Sequence, residues 1–163
     1  MLTILFIISI IKFVTSTTTC LDGWVKYTGT EKCINGFASS KTFFDAELYC
    51  QSFGNNGTLV SIHNIFQNEQ LGSIAPVINP NIIYWIGLSN LETGGNLVWT
   101  DGSKLDYKFC ASSRPTSNKV NIVAIILNEN NHWFSISEIF RKYTFICMND
   151  SQIITTTTTK PTT

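Results

Sequence analysis

Hydrophobic and polar positions change their period about halfway along the chain, from a helical spacing to the alternation of short strands. The helical part begins with SSKTFFDAELYCQSFG, where Ser39 or Ser40 is the predicted N-cap and Gly54 the predicted stop. Apolar residues at helical spacing form the predicted buried stripe of this first helix, namely Phe43, Phe44, Ala46, Leu48 and Cys50.

A shorter second helix is predicted from HNIFQNEQLGS, directly after a short strand in GTLVSIH. Asn64 is its predicted cap, and the two prolines of APVINPN are predicted to break it. The residues predicted to face inward are Ile65, Phe66 and Leu71.

Beyond these prolines the chain consists of short runs rich in aromatic and β-branched residues, separated by Gly, Asn and Ser. The runs are IIYWIGLS, LVWTDGS, VNIVAIILN, HWFSIS and KYTFICM. An earlier strand around Trp24, Val25 and Tyr27 opens a predicted hairpin. Two early helices and many late strands predict one α+β domain with a mainly antiparallel sheet.

The two ends of the chain differ in composition from the middle. The stretch MLTILFIISIIKFVTS is shorter than the roughly 18 to 20 apolar residues of a membrane span, so residues 1–16 are a predicted secretory signal peptide. A short amphipathic or buried N-terminal helix is the alternative. The threonine-rich residues 151–163 are a predicted O-glycosylated tail outside the fold. Residues 17–150 are then the domain of a secreted, extracellular protein with no membrane span.

Charge and motifs exclude several classes of function. Eleven basic and eleven acidic residues give zero formal charge, which removes the electrostatic argument for nucleic acid. The chain has two histidines and lacks GxSxG, HExxH and a glycine-rich phosphate loop, so we predict that it is not an enzyme. Sequons at Asn56 and Asn149 are candidate N-glycosylation sites. Five cysteines without zinc spacing predict disulfides and one cysteine left over.

The blocks that carry these elements occur in an order that resembles the C-type lectin domain family. The order begins with Cys20, Trp24 and Cys33 and continues with FFDAELYC, GTLVSIHN, NEQ, YWIGLS, LVWTDGS, HWFS and YTFIC. YWIGL resembles the family's WIGL core motif, and the similarity extends from Cys20 to about Met148. The resemblance implies a C-type lectin-like fold, stapled by disulfides, with a long loop region that carries ligand sites.

The resemblance also implies a disulfide pairing, which the spacing of the cysteines leaves open. Cys50 would pair with Cys147, and Cys20 with Cys33 in the hairpin of the family's long form. Cys110 matches no usual partner. It is left either for a disulfide between chains, which would give a dimer, or as a partly buried, inert thiol.

Sugar-binding members of the family hold calcium through a tripeptide around a proline and through a Trp-Asn-Asp motif. The matching residues here are Arg114-Pro115-Thr116 and Trp133-Phe134-Ser135. Calcium needs about six to eight oxygen ligands, several of them carboxylates, and an arginine repels it. Asn128, Glu129 and Asn130 could supply oxygens, but such a run is usually a turn. We therefore expect no calcium at this site, no other cofactor, and a loop-shaping role for Pro115.

Three hypotheses for function follow from the resemblance. The first is a secreted domain that binds an extracellular carbohydrate without the usual calcium site, and it is preferred by analogy with the family. The second is a calcium-independent protein-binding module. The third is a structural component of an extracellular glycoprotein layer. The candidate ligand-binding residues are Arg114, Pro115, Thr116, Asn128, Glu129, Asn130, Phe134 and Ser135.

Overall fold

The structure is a computed structural model that describes residues 10–78, 83–91, 93–110, 122–126, 131–138 and 140–161. Within these ranges the backbone alone is described at residues 10, 11, 13, 75–78, 122–126 and 159–161. Six of the candidate ligand-binding residues lie outside the described residues, namely Arg114, Pro115, Thr116, Asn128, Glu129 and Asn130.

A mixed β-sheet forms the centre of the domain. Its main path follows β2 (Val25–Lys26), β3 (Lys32–Lys41), β9 (Tyr143–Asp150), β5 (Ile83–Ser89), β7 (Ile122–Ile126) and β8 (His132–Ile136). Two short strands lie off this path, since β4 (Thr58–Leu59) pairs with β9 and β6 (Val98–Trp99) pairs with β5. These pairs are antiparallel except β5 with β9, which is parallel. The predicted α+β fold with a mainly antiparallel sheet is confirmed.

Helix α1 (Phe43–Gln51) begins later than the sequence predicts. The predicted caps Ser39 and Ser40 are wrong, because β3 continues through both residues. Thr42 is the N-cap instead. Its Oγ1 accepts a hydrogen bond from the Asp45 backbone N–H at 3.2 Å and lies 2.7 Å from the Asp45 carboxylate, to which it donates.

The buried face of α1 is narrower than the predicted apolar stripe. Phe43, Ala46 and Cys50 are buried as predicted. Phe44 and Leu48 are 51% and 64% exposed, so their predicted burial is wrong. They lie one turn apart on a face rotated by about 100° from Phe43, and a helix that contacts the core along one line leaves such a face in solvent.

Helix α2 (Ile65–Ile78) is capped as predicted by Asn64, whose Oδ1 accepts a hydrogen bond from the Gln67 backbone N–H at 3.0 Å. The helix extends through Pro76, so the prolines do not break it at the predicted place. It ends two residues after Pro76, which has no N–H for the helical hydrogen bond.

Only part of the predicted inward face of α2 is buried. Leu71 is buried, but Ile65 and Phe66 are 39% and 72% exposed, so the prediction for these two residues is wrong. The face toward the core carries Gln67, Asn68 and Leu71, which recur at helical spacing. Polar side chains therefore occupy part of the face that the hydrophobic pattern assigned to Ile65 and Phe66.

Two hydrophobic clusters use alternate residues of the central strands, because successive strand residues point to opposite faces. The first cluster comprises Tyr27, Ile34, Val60, Ile62, Leu71, Tyr84, Ile86, Leu88, Trp99, Trp133, Ile146 and Met148. The second cluster comprises Trp24, Cys33, Phe43, Ala46, Cys50, Leu59, Trp85, Ile136, Phe145 and Cys147. Helix α2 contributes to the first cluster and α1 to the second.

Disulfides join Cys20 to Cys33 and Cys50 to Cys147, the pairing that the family resemblance implies. Cys50 lies on α1 and Cys147 on β9, and both are fully buried. In the chain-entropy model the crosslink that spans 97 residues stabilises the fold by about 4 to 5 kcal/mol, and the one that spans 13 residues by about 3 kcal/mol.

A separate two-stranded ribbon joins the ends of the described chain. Strand β1 (Ile10–Thr19) pairs antiparallel with β10 (Gln152–Pro161) over its whole length. The threonine-rich segment, predicted to be a tail outside the fold, is thus largely a strand, as suits its β-branched residues. The signal peptide stays a prediction, and its removal would leave residues 17–19 paired with residues 152–154.

Gly87 lies in β5 where three segments of the chain approach one another closely. Its N–H donates a hydrogen bond to the Val60 carbonyl at 2.9 Å, and its carbonyl accepts one from the Thr100 N–H at 2.7 Å. A Cβ at this position would lie 2.5 Å from Thr100 Oγ1 and 2.8 Å from the Leu59 carbonyl oxygen. The glycine of the WIGL-like motif is therefore required by the close approach of the neighbouring segments.

We expect Gly87→Ala to lower the free energy of unfolding by about 1 to 3 kcal/mol, because the added methyl group pushes β5 away from Leu59 and Thr100. Urea unfolding followed by tryptophan fluorescence measures this change. Gly95→Ala is the control, since a Cβ at residue 95 meets no atom within 4 Å. An effect at residue 87 no larger than the effect at residue 95 would contradict the packing argument.

Candidate functional site

Two of the candidate ligand-binding residues, Phe134 and Ser135, lie on β8 and are described. Phe134 is half-buried and packs against the second cluster. Ser135 is its neighbour in an extended strand, opposite Val123 of β7, and its side chain therefore points to the other face. The structure does not bring these two side chains together on one surface.

The residues at this position offer little to a metal ion. Phe134 has no donor atom, and Ser135 supplies a single hydroxyl in place of the carboxylate that calcium favours. Over the described ranges of the chain, no group of three or more His, Cys, Asp or Glu side chains could hold a metal ion.

A polar cluster connects His63 to the segment that follows β6. His63 Nδ1 and Asp106 Oδ1 lie 2.8 Å apart, and His63 Nε2 lies 3.2 Å from Ser103 Oγ and 3.3 Å from Ser61 Oγ. Asp101 accepts hydrogen bonds from the hydroxyls of Ser103 and Ser61 at 2.5 Å and 2.6 Å. Catalysis by a Ser-His-Asp triad needs a serine that gives its proton to the histidine. Both hydroxyl protons are directed to Asp101, so the cluster ties chain segments together.

Asp101 and Asp106 both carry lowered pKa values. Burial by itself raises the pKa of Asp101, but the hydrogen bonds from Ser103 and Ser61 outweigh it and hold the pKa below its ordinary value. The hydrogen bond with His63 is the main cause of the lowered pKa of Asp106. Both carboxyl groups are therefore ionised at neutral pH.

This cluster predicts a loss of stability in acid. Because the pKa of Asp101 is lower in the folded than in the unfolded chain, its charge stabilises the fold above about pH 4, and this contribution disappears as the pH falls through the folded pKa. We expect Asp101→Asn to lower the thermal midpoint at pH 7 and to weaken its fall between about pH 5 and pH 2. Circular dichroism across this range measures both effects. Asp22→Asn, at an exposed position, is the control, and equal pH profiles for Asp101→Asn and the parent would contradict the assignment.

A groove, here called the α1 groove, runs between α1 and the residues around β6. One cavity of about 380 Å³ has an apolar end formed by Phe44, Leu91 and Val98. A second cavity of about 450 Å³ continues past Asn56 and Asp101. Four polar residues line both cavities and join them, namely Glu47, Gln51, Thr100 and Ser103.

Glu47 is held firmly on one side of this groove. Its carboxylate accepts hydrogen bonds from the Leu59 N–H at 2.8 Å, from Thr58 Oγ1 at 2.9 Å and from Gln51 Nε2 at 3.0 Å. Thr58 Oγ1 also lies 2.7 Å from Thr100 Oγ1. The polar groups of the groove are thus oriented by the protein itself.

The hydrophobic pattern of the sequence does not reveal the α1 groove, because the pattern places Phe44 in the core. The rotation of α1 about its axis is the feature that could have indicated the groove. A buried stripe through Phe43, Ala46 and Cys50 puts Phe44 on a neighbouring face. Which of the two adjacent phenylalanines faces the sheet depends on packing that the local pattern does not contain.

Cys110 carries a free thiol that is half-buried and packs against the first cluster. Burial raises the pKa of this thiol, and Lys108 opposes the effect only in part. A thiol with a raised pKa is mostly protonated at neutral pH and reacts slowly. These features favour the inert thiol, while the disulfide between chains stays a prediction.

The two sequons differ sharply in exposure. Asn149 lies in β9 and is 1% exposed, with no partner for its side-chain amide among the described residues. Its burial argues against a glycan at Asn149, which stays a candidate site from the sequence alone. Asn56 is exposed, and its Nδ2 donates a hydrogen bond to the Asp150 carboxylate at 2.7 Å.

We expect protein secreted from eukaryotic cells to carry an N-glycan at Asn56 and none at Asn149, because only Asn56 is open to solvent in the folded chain. Peptide mass spectrometry after enzymatic deglycosylation measures the occupancy of each asparagine. Asn56→Gln should remove the whole N-glycan mass, and Asn149→Gln should leave it unchanged. Folded, secreted protein with an occupied Asn149 would contradict the observed burial.

The chain is similar to a known family of domains and to several curated proteins. The family model described as "Lectin C-type domain" matches residues 39–149. Snaclec 5 of Echis pyramidum leakeyi and Snaclec 1 of Bitis arietans are each 36% identical over 89 residues, which are 55% of this chain and 60% of the relative. The matched part of the chain thus spans about 60% of the length of these curated relatives.

Solved structures share the fold at lower identity. Human lithostathine has a TM-score of 0.71 at 24% identity, over 81% of this chain and 91% of that chain. A calcium-independent type II antifreeze protein has a TM-score of 0.71 at 23% identity, over 83% of this chain and 98% of that chain. Among the helices that the structure describes, none is long and apolar enough to cross a membrane.

Proposed function

The chain belongs to the family of C-type lectin domains. From this premise we propose that it is a secreted recognition domain that binds an extracellular carbohydrate without the family's usual calcium site. Members of the family are non-enzymatic binding proteins, and the chain is accordingly not an enzyme. Two disulfides suit an oxidising extracellular compartment and support secretion.

The observation that carries the calcium-free part of this proposal is the placement of Phe134. Where sugar-binding members have the asparagine of Trp-Asn-Asp, this chain has an apolar side chain packed against the second cluster. The next position offers Ser135 in place of an aspartate, and Arg114 lies beside the loop proline in the sequence. These changes remove an amide ligand, replace a carboxylate by a hydroxyl and add a charge that repels calcium. A fold neighbour described as calcium-independent is consistent with a working domain of this kind.

Carbohydrate is the ligand class that family membership favours, which is an argument by analogy. A protein ligand is the second candidate, and one observation favours it. Phe44, Leu48 and Phe66 are large apolar side chains with exposures from 51% to 72%, and exposed apolar groups can mark protein contacts. No described feature favours a structural role in an extracellular layer.

Calcium independence is tested by thermal unfolding of the secreted domain with calcium and with a chelator. A ligand that binds only the folded state raises the midpoint, so we expect equal midpoints under the two conditions. A glycan array probed in chelator should retain its signal. A sugar-binding member of the family with the Trp-Asn-Asp motif, measured in parallel, shows that both assays detect calcium.

Two outcomes would count against the proposal in different ways. A midpoint that rises with calcium would contradict the calcium-free site, because it would reveal a folded-state site for the ion. Absence of binding to any glycan, together with equal midpoints, would contradict the carbohydrate ligand and leave the protein ligand as the better candidate.

A further inference from the structure

We infer that the α1 groove is a binding site for a neutral sugar, formed by described residues other than the long-loop candidates that the family resemblance implicates. The inference rests on the proposed function, since it assumes that the chain binds carbohydrate. The two cavities of the groove, of about 380 and 450 Å³, each fall within the range of roughly 300 to 1,000 Å³ that small-molecule sites occupy.

The apolar end of the groove supplies a surface for the CH groups of a pyranose ring. Phe44 is 51% exposed, and its ring meets that of the buried Phe43 edge-on, with centroids 6.1 Å apart and planes at 83°. Val98 is 38% exposed and lines the same cavity, as does the half-buried Leu91. An exposed aromatic ring supported from behind by a core residue is suited to stacking a ligand.

The polar part of the groove suits sugar hydroxyls. A carboxylate, an amide and two hydroxyls, from Glu47, Gln51, Thr100 and Ser103, line both cavities beside the apolar end. Together they offer donors and acceptors at one surface. Glu47 is already fixed by the Leu59 N–H, so less conformational freedom is lost when a ligand binds.

The charges of the groove favour a neutral sugar over an acidic one. Glu47 and Asp101 are the carboxylates among the lining residues. Lys32 lines the second cavity, but its Nζ lies 2.8 Å from Asp150 Oδ1 in an ion pair. Carboxylates accept hydrogen bonds from neutral hydroxyls and repel the carboxylate or sulfate of an acidic sugar.

A neutral sugar could reach the groove from two sources. Asn56 lines the second cavity, so an N-glycan attached to this residue would begin beside the groove. An oligosaccharide from another molecule could enter it equally well from solvent. Both sources present the same neutral pyranose chemistry to Phe44 and the polar residues.

The experiment compares variants of the secreted full chain. A glycan array with neutral oligosaccharides and their sialylated or sulfated counterparts selects the best neutral probe, and calorimetric titration measures its affinity. Phe44→Ala and Gln51→Ala alter the groove. Phe66→Ala is the matched control, because it removes a phenylalanine that is 72% exposed on α2, and Arg114→Ala tests the long loop. Thermal midpoints confirm that each variant is folded.

We expect Phe44→Ala to weaken binding of the neutral probe by about tenfold, the scale of one lost aromatic contact, and Phe66→Ala to change it by less than about twofold. Acidic counterparts should bind more weakly than the neutral probe. Backbone NMR shifts of the labelled parent on titration should move at Phe44, Gln51 and Thr100. This readout does not depend on any variant.

Asn56→Gln separates the two sources of sugar. If the chain's own glycan fills the groove, the variant should bind the free neutral probe more tightly than the glycosylated parent does. If the sugar comes from another molecule, the affinities should be equal within about twofold.

Failure of the inference and failure of the proposed function give different results. Neutral binding that is lost in Arg114→Ala and unchanged in Phe44→Ala would overturn the groove and leave carbohydrate recognition in place. If both the parent and Asn56→Gln bind no oligosaccharide on the array, the proposed carbohydrate ligand is wrong and the inference falls with it.

Discussion

At Gly87 the backbone of β5 exchanges hydrogen bonds with Val60 on one side and Thr100 on the other, at distances that leave no room for a Cβ. The carboxylate of Glu47, the α1 groove and the His63 cluster are all built on the segments that meet at this contact. Leu59 precedes Val60, and its N–H holds the carboxylate of Glu47. The α1 groove and the His63 cluster both take residues from the segment that begins at Thr100, so one close backbone contact sets the geometry of both.

The His63 cluster shows that residue types alone do not define chemistry. The His63 ring lies within hydrogen-bond distance of the Asp106 carboxylate and of two serine hydroxyls, the residue types of a hydrolase triad. Here Asp101 accepts the protons of both hydroxyls, because hydrogen bonds to an ionised carboxylate are stronger than those to a neutral acceptor. The cluster therefore joins the segment of Ser61 and His63, which follows β4, to residues 101–106, which follow β6.

Phe134 illustrates how one substitution changes both packing and ligand chemistry. In place of a polar calcium ligand, β8 contributes an aromatic side chain to the second cluster. Burial of this ring stabilises the domain, because apolar area leaves water. The same position cannot supply a side-chain oxygen to the usual sugar site, which is why we propose recognition through direct contacts with the ligand.

Features that depend on residues near each other in sequence were determined by the sequence alone. Asn64 caps α2 because its side chain needs only the N–H of residue 67, and the short β-branched runs form strands because their side chains suit a half-buried sheet. The order of such blocks from Cys20 to Met148 identified the family, and with it the disulfide pairing.

Tertiary structure decided which of several similar residues face solvent. Phe43 and Phe44 are adjacent and chemically identical, yet only Phe43 is buried, because the rotation of α1 is set by its packing on the sheet and by the Cys50–Cys147 bridge. Asn149 belongs to a sequon as Asn56 does, and its place in β9 hides it. The α1 groove brings together residues as far apart in the sequence as Phe43 and Ser103, so no local pattern could contain it.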